Sequence, residues 1–366
     1  MIHIRIPSAV RTLFRIYPLI TMGVELGVFL LGVGSGGVNI LSRAYMEYDT
    51  IRKSGSFCFC INSSERDFRR VRERFKKAHM KRMPKRFVMR VVGPGFGAGK
   101  DAEKGLEMYR EESTKILDEI EAIYNKHRFA IGFSIGCLGG GFGSLTLAEV
   151  TRDVASRLGV PIIPIATLPR RGEGELLLEN ARKGLAHLIE FGLPPILYDN
   201  ERAGVYSPSI GVAMMMANRV IAGTIAGLVD AVEYSEFAVP PIDIRDVTRI
   251  IKRDCAVFTS MRTDDVHLLK SWKEYLMRRN LSLETEPIDK SSVFCIFQGP
   301  EFPKTIADDV SKYLRWRYKA RDAITSALEG EAFKEYSITA LIYGMSLDKI
   351  KPKLEPMKSL KERLFG

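Results

Sequence analysis

The sequence has few of the residues that build metal centres and disulfide frameworks. Its five cysteines are an odd number, and their spacings match no zinc or disulfide pattern. Its five histidines form no HxxxH or HxH pair, so we expect no metal site built from protein ligands alone. Cys58 and Cys60 alternate with phenylalanines in a strand-like run, which predicts that both are small core residues.

No apolar run reaches the roughly 20 residues that a membrane span requires. The best candidate, residues 17–33, is interrupted by Pro18, Glu25 and glycines, and no small-residue cleavage site accompanies it. It is therefore predicted to be a buried strand with its lead-in, and the protein is expected to be cytoplasmic. A length of 366 residues, with 46% hydrophobic and 27% charged residues, fits a globular protein of two domains.

The net charge of +11 is concentrated in residues 65–90, which hold 12 Lys or Arg residues against three acids. This basic segment is interpreted either as a solvated helix face or as a patch for an anionic lipid, a nucleic acid or an acidic protein. No stable nucleic-acid complex is expected. Retention on DNA that weakens with added salt would indicate a role in DNA segregation.

Strand-like and helix-like segments alternate from residue 26 onward, which predicts an α/β fold with a parallel sheet and helices on both faces. Most of these strands end in Gly, Asn or Asp, so the special loops lie at the carboxyl edge of the sheet, where open α/β sheets bind ligands. The predicted strands are residues 28–33, 56–61, 86–92, 129–135, 161–167 and 196–200.

Residues 209–234 are apolar on nearly every side, which predicts a long central helix that is buried all round between two domains. The predicted organisation is an N-terminal extension (1–25), a nucleotide-binding domain (26–208), the central helix (209–238), a smaller α+β second domain (239–349) and a tail (350–366). In the second domain we predict strands near 255–260, 292–299 and 337–344, and helices at 265–279, 303–316 and 318–328.

Three glycine-rich loops follow predicted strands: GVGSGGVN (32–39), GPGFGAGK (93–100) and GGGFGSL (139–145). So much bare backbone is kept where a phosphate must approach the main chain closely. The first loop fits GxGxxG, but a nicotinamide-binding unit would place an acid after the second strand, where this chain has Asn62, Ser63 and Ser64. A nicotinamide-dependent oxidoreductase is therefore disfavoured.

The Walker lysine pattern is also absent, because Asp101 follows Lys100. The loops instead predict a triphosphate that is cradled by main-chain N–H groups. Any Mg²⁺ would then be held mainly by the nucleotide and water.

The set of loops resembles the signature of the tubulin/FtsZ superfamily of polymerising GTPases, whose glycine loop reads GGGTGTG or GGGTGSG. GVGSGGVN resembles the first nucleotide loop of that family, and GFGAGK resembles GLGAGA. PRRGEG (169–174) is similar to PFxFEG, and YDNER (198–202) is similar to IPNDK. MMMAN (214–218) is similar to the central-helix segment of that family, which has an aromatic residue four positions before an Asp or Asn. The resemblance covers residues 26–349 and implies a GTP or GDP ligand.

The resemblance assigns guanine recognition to three asparagines, ribose binding to Glu173 and coverage of the base to Met214, which replaces an aromatic ring. Residues 98–100 would lie near the γ-phosphate. The implied nucleotide-binding residues are Gly34, Ser35, Gly36, Gly37, Asn39, Asn62, Gly97, Ala98, Gly99, Lys100, Gly139, Gly140, Gly141, Phe142, Gly143, Ser144, Glu173, Asn200, Met214 and Asn218.

In this family the catalytic acids come from the next subunit of a head-to-tail filament, in a loop with the pattern NxDxxD. PIDIRD (241–246) matches it, so Asp243 and Asp246 are the implied catalytic residues. Their three-residue spacing at the start of a helix places both carboxylates on one face, where they could act together on a water. Helix capping is the alternative role for both acids.

Several residues depart from the family pattern. Pro241 replaces an Asn, Ser64 stands where an Asp is common, Phe142 and Leu145 replace a Thr and a Gly, and Arg245 lies between the two acids. These departures favour a divergent member, and they leave open a GTP- or GDP-binding structural or regulatory filament protein with little hydrolysis.

The two ends of the chain each allow two interpretations. SLKERLFG in the tail is either a mobile end or a peptide for a membrane-anchor or regulatory protein, and residues 8–20 form either a packed helix or a membrane-surface helix. The cellular role could be division, cell shape or DNA segregation.

Overall fold

The computed structural model describes residues 27–78, 80, 83–241, 255–278, 287–346, 350 and 354. The predicted catalytic acids Asp243 and Asp246, the N-terminal extension and nearly all of the tail lie outside the described residues.

The described strands form one ten-stranded sheet in the order β3-β2-β1-β4-β5-β6-β7-β10-β8-β9. Its first six strands are parallel, as the sequence predicts. They are β1 (Gly27–Val33), β2 (Phe57–Asn62), β3 (Phe87–Val91), β4 (Phe129–Cys137), β5 (Ile162–Leu168) and β6 (Ile196–Asp199). The remaining strands are β7 (Cys255–Thr263), β8 (Pro287–Gly299), β9 (Asp322–Glu329) and β10 (Tyr336–Met345). Of these, β10 runs antiparallel to both β7 and β8.

Helices cover both faces of the sheet because the strands alternate their side chains between two hydrophobic cores. In β1, Phe29 and Leu31 enter one core, whereas Val28 and Leu30 enter the other. The face of Val28 carries α1 (Gly34–Glu47), the short α2 (Asp49–Lys53), α3 (Glu65–Lys77) and α7 (Ile210–Glu233). The face of Phe29 carries α4 (Ala102–His127), α5 (Leu145–Leu158), α6 (Glu175–Glu190), α8 (Trp272–Met277) and α9 (Lys304–Arg317). The α/β class is therefore confirmed.

The long helix α7 is confirmed, but it is not buried on all sides. From Ile221 to Val232 nearly every side chain is buried, whereas Ile210 and Met215 in its first turns are 60% and 45% exposed. By length and composition α7 could cross a membrane, which is weak evidence because a core helix of a soluble protein passes the same test. It packs along α1 and against β1, β7 and β10, as a core helix does.

The second half differs from expectation in two elements. Residues 318–328 are predicted as a helix, yet the chain forms β9 (Asp322–Glu329). This strand pairs in parallel with β8, and its buried residues Ser326 and Leu328 follow the two-residue period of a strand. The helix predicted at 265–279 is a 3₁₀ segment, Val266–Ser271, followed by the short α8.

Candidate functional site

The loop after β1 meets the loop after β4 backbone to backbone. Gly34 has a φ of +69°, and a Cβ atom at this position would lie 2.8 Å from both Cα and N of Gly143. A Cβ on Gly36 would collide with the Sγ atom of Cys137. These positions need glycine because any side chain would separate the two loops.

The loop after β3 reaches the same place. A Cβ on Gly141 would lie 2.9 Å from Cα of Lys100, so these two main chains are also in contact. The buried side chain of Asn180, on α6, joins them: its Nδ2 donates to the carbonyl of Lys100 at 2.8 Å and to that of Gly139 at 3.4 Å. Asn180 is absent from the sequence-based assignment.

The loop after β2 completes the group. The N–H of Gly97 donates to the carbonyl of Ser63 at 2.8 Å, and the N–H of Glu65 donates to that of Gly95 at 3.0 Å. Ser64 and Phe96 form an isolated β-bridge. Four loops, from four neighbouring parallel strands, therefore form one continuous surface at the carboxyl edge of the sheet.

Two helices begin at this surface with N-termini that no side chain caps. α1 starts at Gly34 and α5 starts at Leu145, and neither N-cap residue makes a side-chain hydrogen bond. By contrast, Ser64 caps α3 and Asp101 caps α4. Free N–H groups at a helix start attract anions, so both uncapped ends are suited to phosphate.

A small polar cluster lies beside the first loop. The amide of Asn62, which is 1% exposed, donates to the carboxylate of Asp67 at 3.1 Å, and the hydroxyl of Ser35 also donates to that carboxylate. Ser35 and Asn62 are predicted nucleotide-binding residues, and the structure brings them together. Asp67, in the first turn of α3, is a neighbour that the sequence does not single out.

Some predicted ligand residues offer only their main chain. The ring of Phe142 is 4% exposed and belongs to the core beneath α4 and α5. The hydroxyl of Ser144 is buried and donates to the carbonyl of Asn180 at 2.5 Å. A bound phosphate could therefore meet the N–H groups of these two residues but not their side chains.

The predicted base and ribose residues lie on several elements. Asn39 is on α1, Asn200 follows β6, and Met214 and Asn218 are on α7, which packs along α1. Asn200 is 8% exposed, whereas Met214 and Asn218 are half-buried. Glu173 accepts hydrogen bonds from the N–H of Arg170 at 3.2 Å and from its Nε at 3.1 Å.

Arg74 is a third neighbour that the sequence does not single out. Its guanidinium donates to Oδ1 of Asn39 at 2.6 Å, and burial, with a smaller contribution from Arg43, lowers the pKa of Arg74. Because the oxygen of Asn39 is engaged by Arg74, its Nδ2 group is the part offered to a ligand.

Across the described ranges, no group of three or more His, Cys, Asp or Glu side chains is placed to hold a metal ion.

Comparison with known proteins finds several that are similar to this chain in sequence. Residues 27–204 match the profile of the Tubulin/FtsZ family, GTPase domain. The chain is 23% identical over 342 residues to cell division protein FtsZ 1 of Pyrococcus woesei, which covers 92% of this chain and 87% of that protein. Against cell division protein FtsZ 1 of Pyrococcus furiosus, identity is 25% over 62% of this chain and 55% of that protein. Against the tubulin-like protein CetZ of Methanothrix thermoacetophila, it is 30% over 39% of each chain.

Solved structures share the fold. An empty FtsZ dimer from M. jannaschii superposes with a TM-score of 0.72 at 19% identity, covering 95% of this chain and 97% of that one. CetZ2 from Haloferax volcanii, in a GTPγS-bound protofilament, superposes with a TM-score of 0.71 at 16% identity, covering 93% and 99%.

Proposed function

Because this chain is a divergent member of the tubulin/FtsZ superfamily of cytoskeletal GTPases, we propose that it binds GTP at the four converging loops and assembles head to tail into filaments. The observation that carries this proposal is the contact of Gly34 with Gly143 and of Gly141 with Lys100, which gathers the loops at one edge of the sheet.

Main-chain groups would supply most of the nucleotide affinity. The uncapped starts of α1 and α5 face the surface formed by the glycine loops, so their N–H groups would meet the phosphates. Mg²⁺, if it accompanies the nucleotide, prefers oxygen ligands, and Ser35 and Asp67 offer a hydroxyl and a carboxylate there. The base would be bound by Asn39, Asn200 and Asn218 and covered by Met214, and the ribose by Glu173.

Exposed apolar residues at the two ends of the molecule support assembly. At the carboxyl edge Phe96 is 92% exposed and Val205 is 48% exposed. α7 starts at this edge and, with 24 residues, carries the chain about 36 Å toward the opposite edge. There Phe237 and Val239, which follow α7, are 75% and 71% exposed. Apolar patches at opposite ends suit a repeated contact between copies.

Hydrolysis would take place where two copies meet. We assign the catalytic role to Asp243 and Asp246 of the adjoining copy, which together would hold and deprotonate the attacking water. The phosphate loops of one subunit would bind the leaving diphosphate, so assembly and turnover are coupled.

Binding and assembly are tested on the purified full chain. Calorimetric titration with GTP, GDP, ATP and NAD should show binding of the guanine nucleotides, and electron microscopy should show filaments with GTP. Phosphate release should rise faster than linearly with protein concentration, because the site is shared. Tight binding of NAD without binding of GTP would refute the proposal.

A mixing experiment tests the shared site directly. Asp243→Ala should bind GTP and form long-lived filaments without turnover, whereas Asn200→Ala should lose nucleotide affinity but keep its acids. A mixture of the two variants should hydrolyse GTP at interfaces where an intact pocket meets intact acids. If the mixture is as inactive as each variant alone, the acids do not act across an interface.

Two departures favour a second candidate, a guanine-nucleotide-binding filament protein with little hydrolysis. Phe142 turns its ring into the core where the family's signature loop has a hydroxyl, and Pro241 lacks the side-chain donor of the family's Asn. Filaments that form with GTP but release no phosphate at any protein concentration would identify this candidate.

A further inference from the structure

Lys100 carries the single positive charge in the three glycine loops, residues 32–39, 93–101 and 137–145. The loops have one other charged side chain, that of Asp101, whose carboxylate accepts from the N–H of Lys104 at 3.0 Å and caps α4. The side chain of Lys100 is exposed and forms no ion pair with any residue that the structure describes.

The backbone of Lys100 is held in a conformation that favours glycine. Its φ is +66°, next to Gly99 at +64°. A residue with a Cβ atom is disfavoured in this left-handed region, so a glycine would fit the turn with less strain. A strained residue that persists at a ligand surface is a reason to look for a function of its side chain.

The surroundings fix this conformation from three sides. The carbonyl of Lys100 accepts from Asn180 at 2.8 Å, the N–H of Asp101 donates to Ala98 at 3.0 Å, and the N–H of Gly97 donates to Ser63 at 2.8 Å. The turn therefore presents the lysine side chain from a rigid main chain.

Lys100 lies beside the part of the loop surface where phosphates would bind. Its Cα atom would lie 2.9 Å from a Cβ on Gly141, in the loop that leads into the uncapped start of α5. The phosphate chain bound at α1 and α5 would lie within reach of an ammonium on a flexible four-carbon stem. An ammonium acts on phosphate as a compact point charge.

We propose that Lys100 neutralises the terminal phosphate of a bound nucleoside triphosphate, so that the site distinguishes a triphosphate from a diphosphate by a side-chain charge in the same subunit. This inference rests on the proposed function, that the four loops bind guanine nucleotide. A diphosphate lacks the group that Lys100 contacts, so the lysine contributes to the affinity for GTP and little to that for GDP.

The test uses the full chain and calorimetric titration with GDP and with a slowly hydrolysed GTP analogue, at one fixed Mg²⁺ concentration. Lys100→Gly removes the charge and relieves the backbone strain. It should weaken binding of the analogue by about 10- to 100-fold, the usual effect of a charged hydrogen bond, and should change GDP affinity less than threefold. Its melting temperature should equal or exceed that of the parent.

Two further variants act as controls. Lys100→Arg keeps the charge and should keep most of the preference for the triphosphate. Lys104→Ala removes an exposed lysine from the first turn of α4 and should leave both affinities within twofold of the parent.

The outcomes separate the two proposals. A selective loss of triphosphate affinity in Lys100→Gly, without loss of thermal stability, supports the role of Lys100. An equal loss for both nucleotides, or no loss, overturns it while the proposed function stands. A parent protein that binds neither nucleotide overturns the proposed function and this inference with it.

Discussion

The side-chain amide of Gln298 donates a 2.8 Å hydrogen bond to the carboxylate of Asp230, which joins the last turns of α7 to β8. The hydroxyl of Thr50, in α2, donates to the other oxygen of the same carboxylate. Asp230 is 4% exposed, and burial raises its pKa even though hydrogen bonds from Thr50 and Gln298 oppose the shift. One buried carboxylate thus connects three elements of the fold.

We predict that Asp230→Ala lowers the free energy of unfolding by about 1 to 3 kcal/mol, because the buried donors of Thr50 and Gln298 lose their acceptor. Asp230→Asn keeps an acceptor oxygen at the same place and should cost less. Urea unfolding of the two variants and the parent checks the order. An Asn variant that is as unstable as the Ala variant would contradict this role of the acceptor.

The raised pKa of Asp230 also predicts a pH dependence. A carboxyl group whose pKa is higher in the folded than in the unfolded chain binds its proton more tightly when the protein is folded. Its contribution to stability is complete below the unfolded pKa of about 3.9. That contribution is lost as the pH rises through the folded pKa. Asp230→Asn lacks the ionisation, so its melting temperature relative to the parent should increase as the pH rises above about 4. A difference that stays constant across this range would show that Asp230 does not titrate as described.

For the glycine loops, we predict that Gly34→Ala weakens GTP binding at least about tenfold and lowers stability by about 1 to 3 kcal/mol. The added methyl group would lie 2.8 Å from Gly143, and φ at this position is +69°. Gly211→Ala, in the first turn of α7, is the control, since nothing lies within 4 Å of its added Cβ. Calorimetric titration and thermal unfolding should leave the control near the parent, and equal affinities for Gly34→Ala and the parent would contradict the packing argument.

Arg74→Ala should reduce guanine-nucleotide affinity about three- to tenfold, because Asn39 loses the hydrogen bond that fixes the orientation of its amide. Arg69→Ala removes an exposed arginine from the same helix and serves as the charge-matched control. A double-mutant cycle with Asn39→Ala separates positioning from simple electrostatic attraction. If the two substitutions are additive, Arg74 does not act through Asn39.

Asn180→Ala should loosen the loops after β3 and β4, because the carbonyls of Lys100 and Gly139 lose their common donor. We expect a loss of about 1 to 3 kcal/mol in stability and faster hydrogen exchange at residues 97–101 and 139–143. Hydrogen exchange followed by mass spectrometry resolves these segments. Unchanged exchange at both loops would show that Asn180 does not hold them.

The strands of the first half were predictable because each is an apolar run that a glycine-rich or polar loop ends. β9 was not predictable in this way. Its residues are compatible with a helix, and they form a strand because they pair with β8. Ser326 and Leu328 face the core while Glu329 is exposed, a pattern of three residues that is too short to recognise without the pairing.

The phosphate site was predicted from the glycine clusters, because runs of glycine can be recognised in the sequence itself. Asn180, Arg74 and Asp67 were missed, since each lies on a helix and its partner is set by tertiary packing. Of these three, only Asn180 could have been recognised from the sequence, because it is a polar residue among Leu178, Ala181 and Leu185 on the inward face of α6.

Within the described residues, β6 and β7 are paired through two positions, Ile196 with Ala256 and Leu197 with Val257. α7 crosses this junction, packing on β1 to one side and on β7 and β10 to the other. In the proposed filament, a pulling force between copies would act on this two-position pairing and on α7, which spans it. The parallel part and the mixed part of the sheet are thus joined by one short strand pairing and by a single long helix.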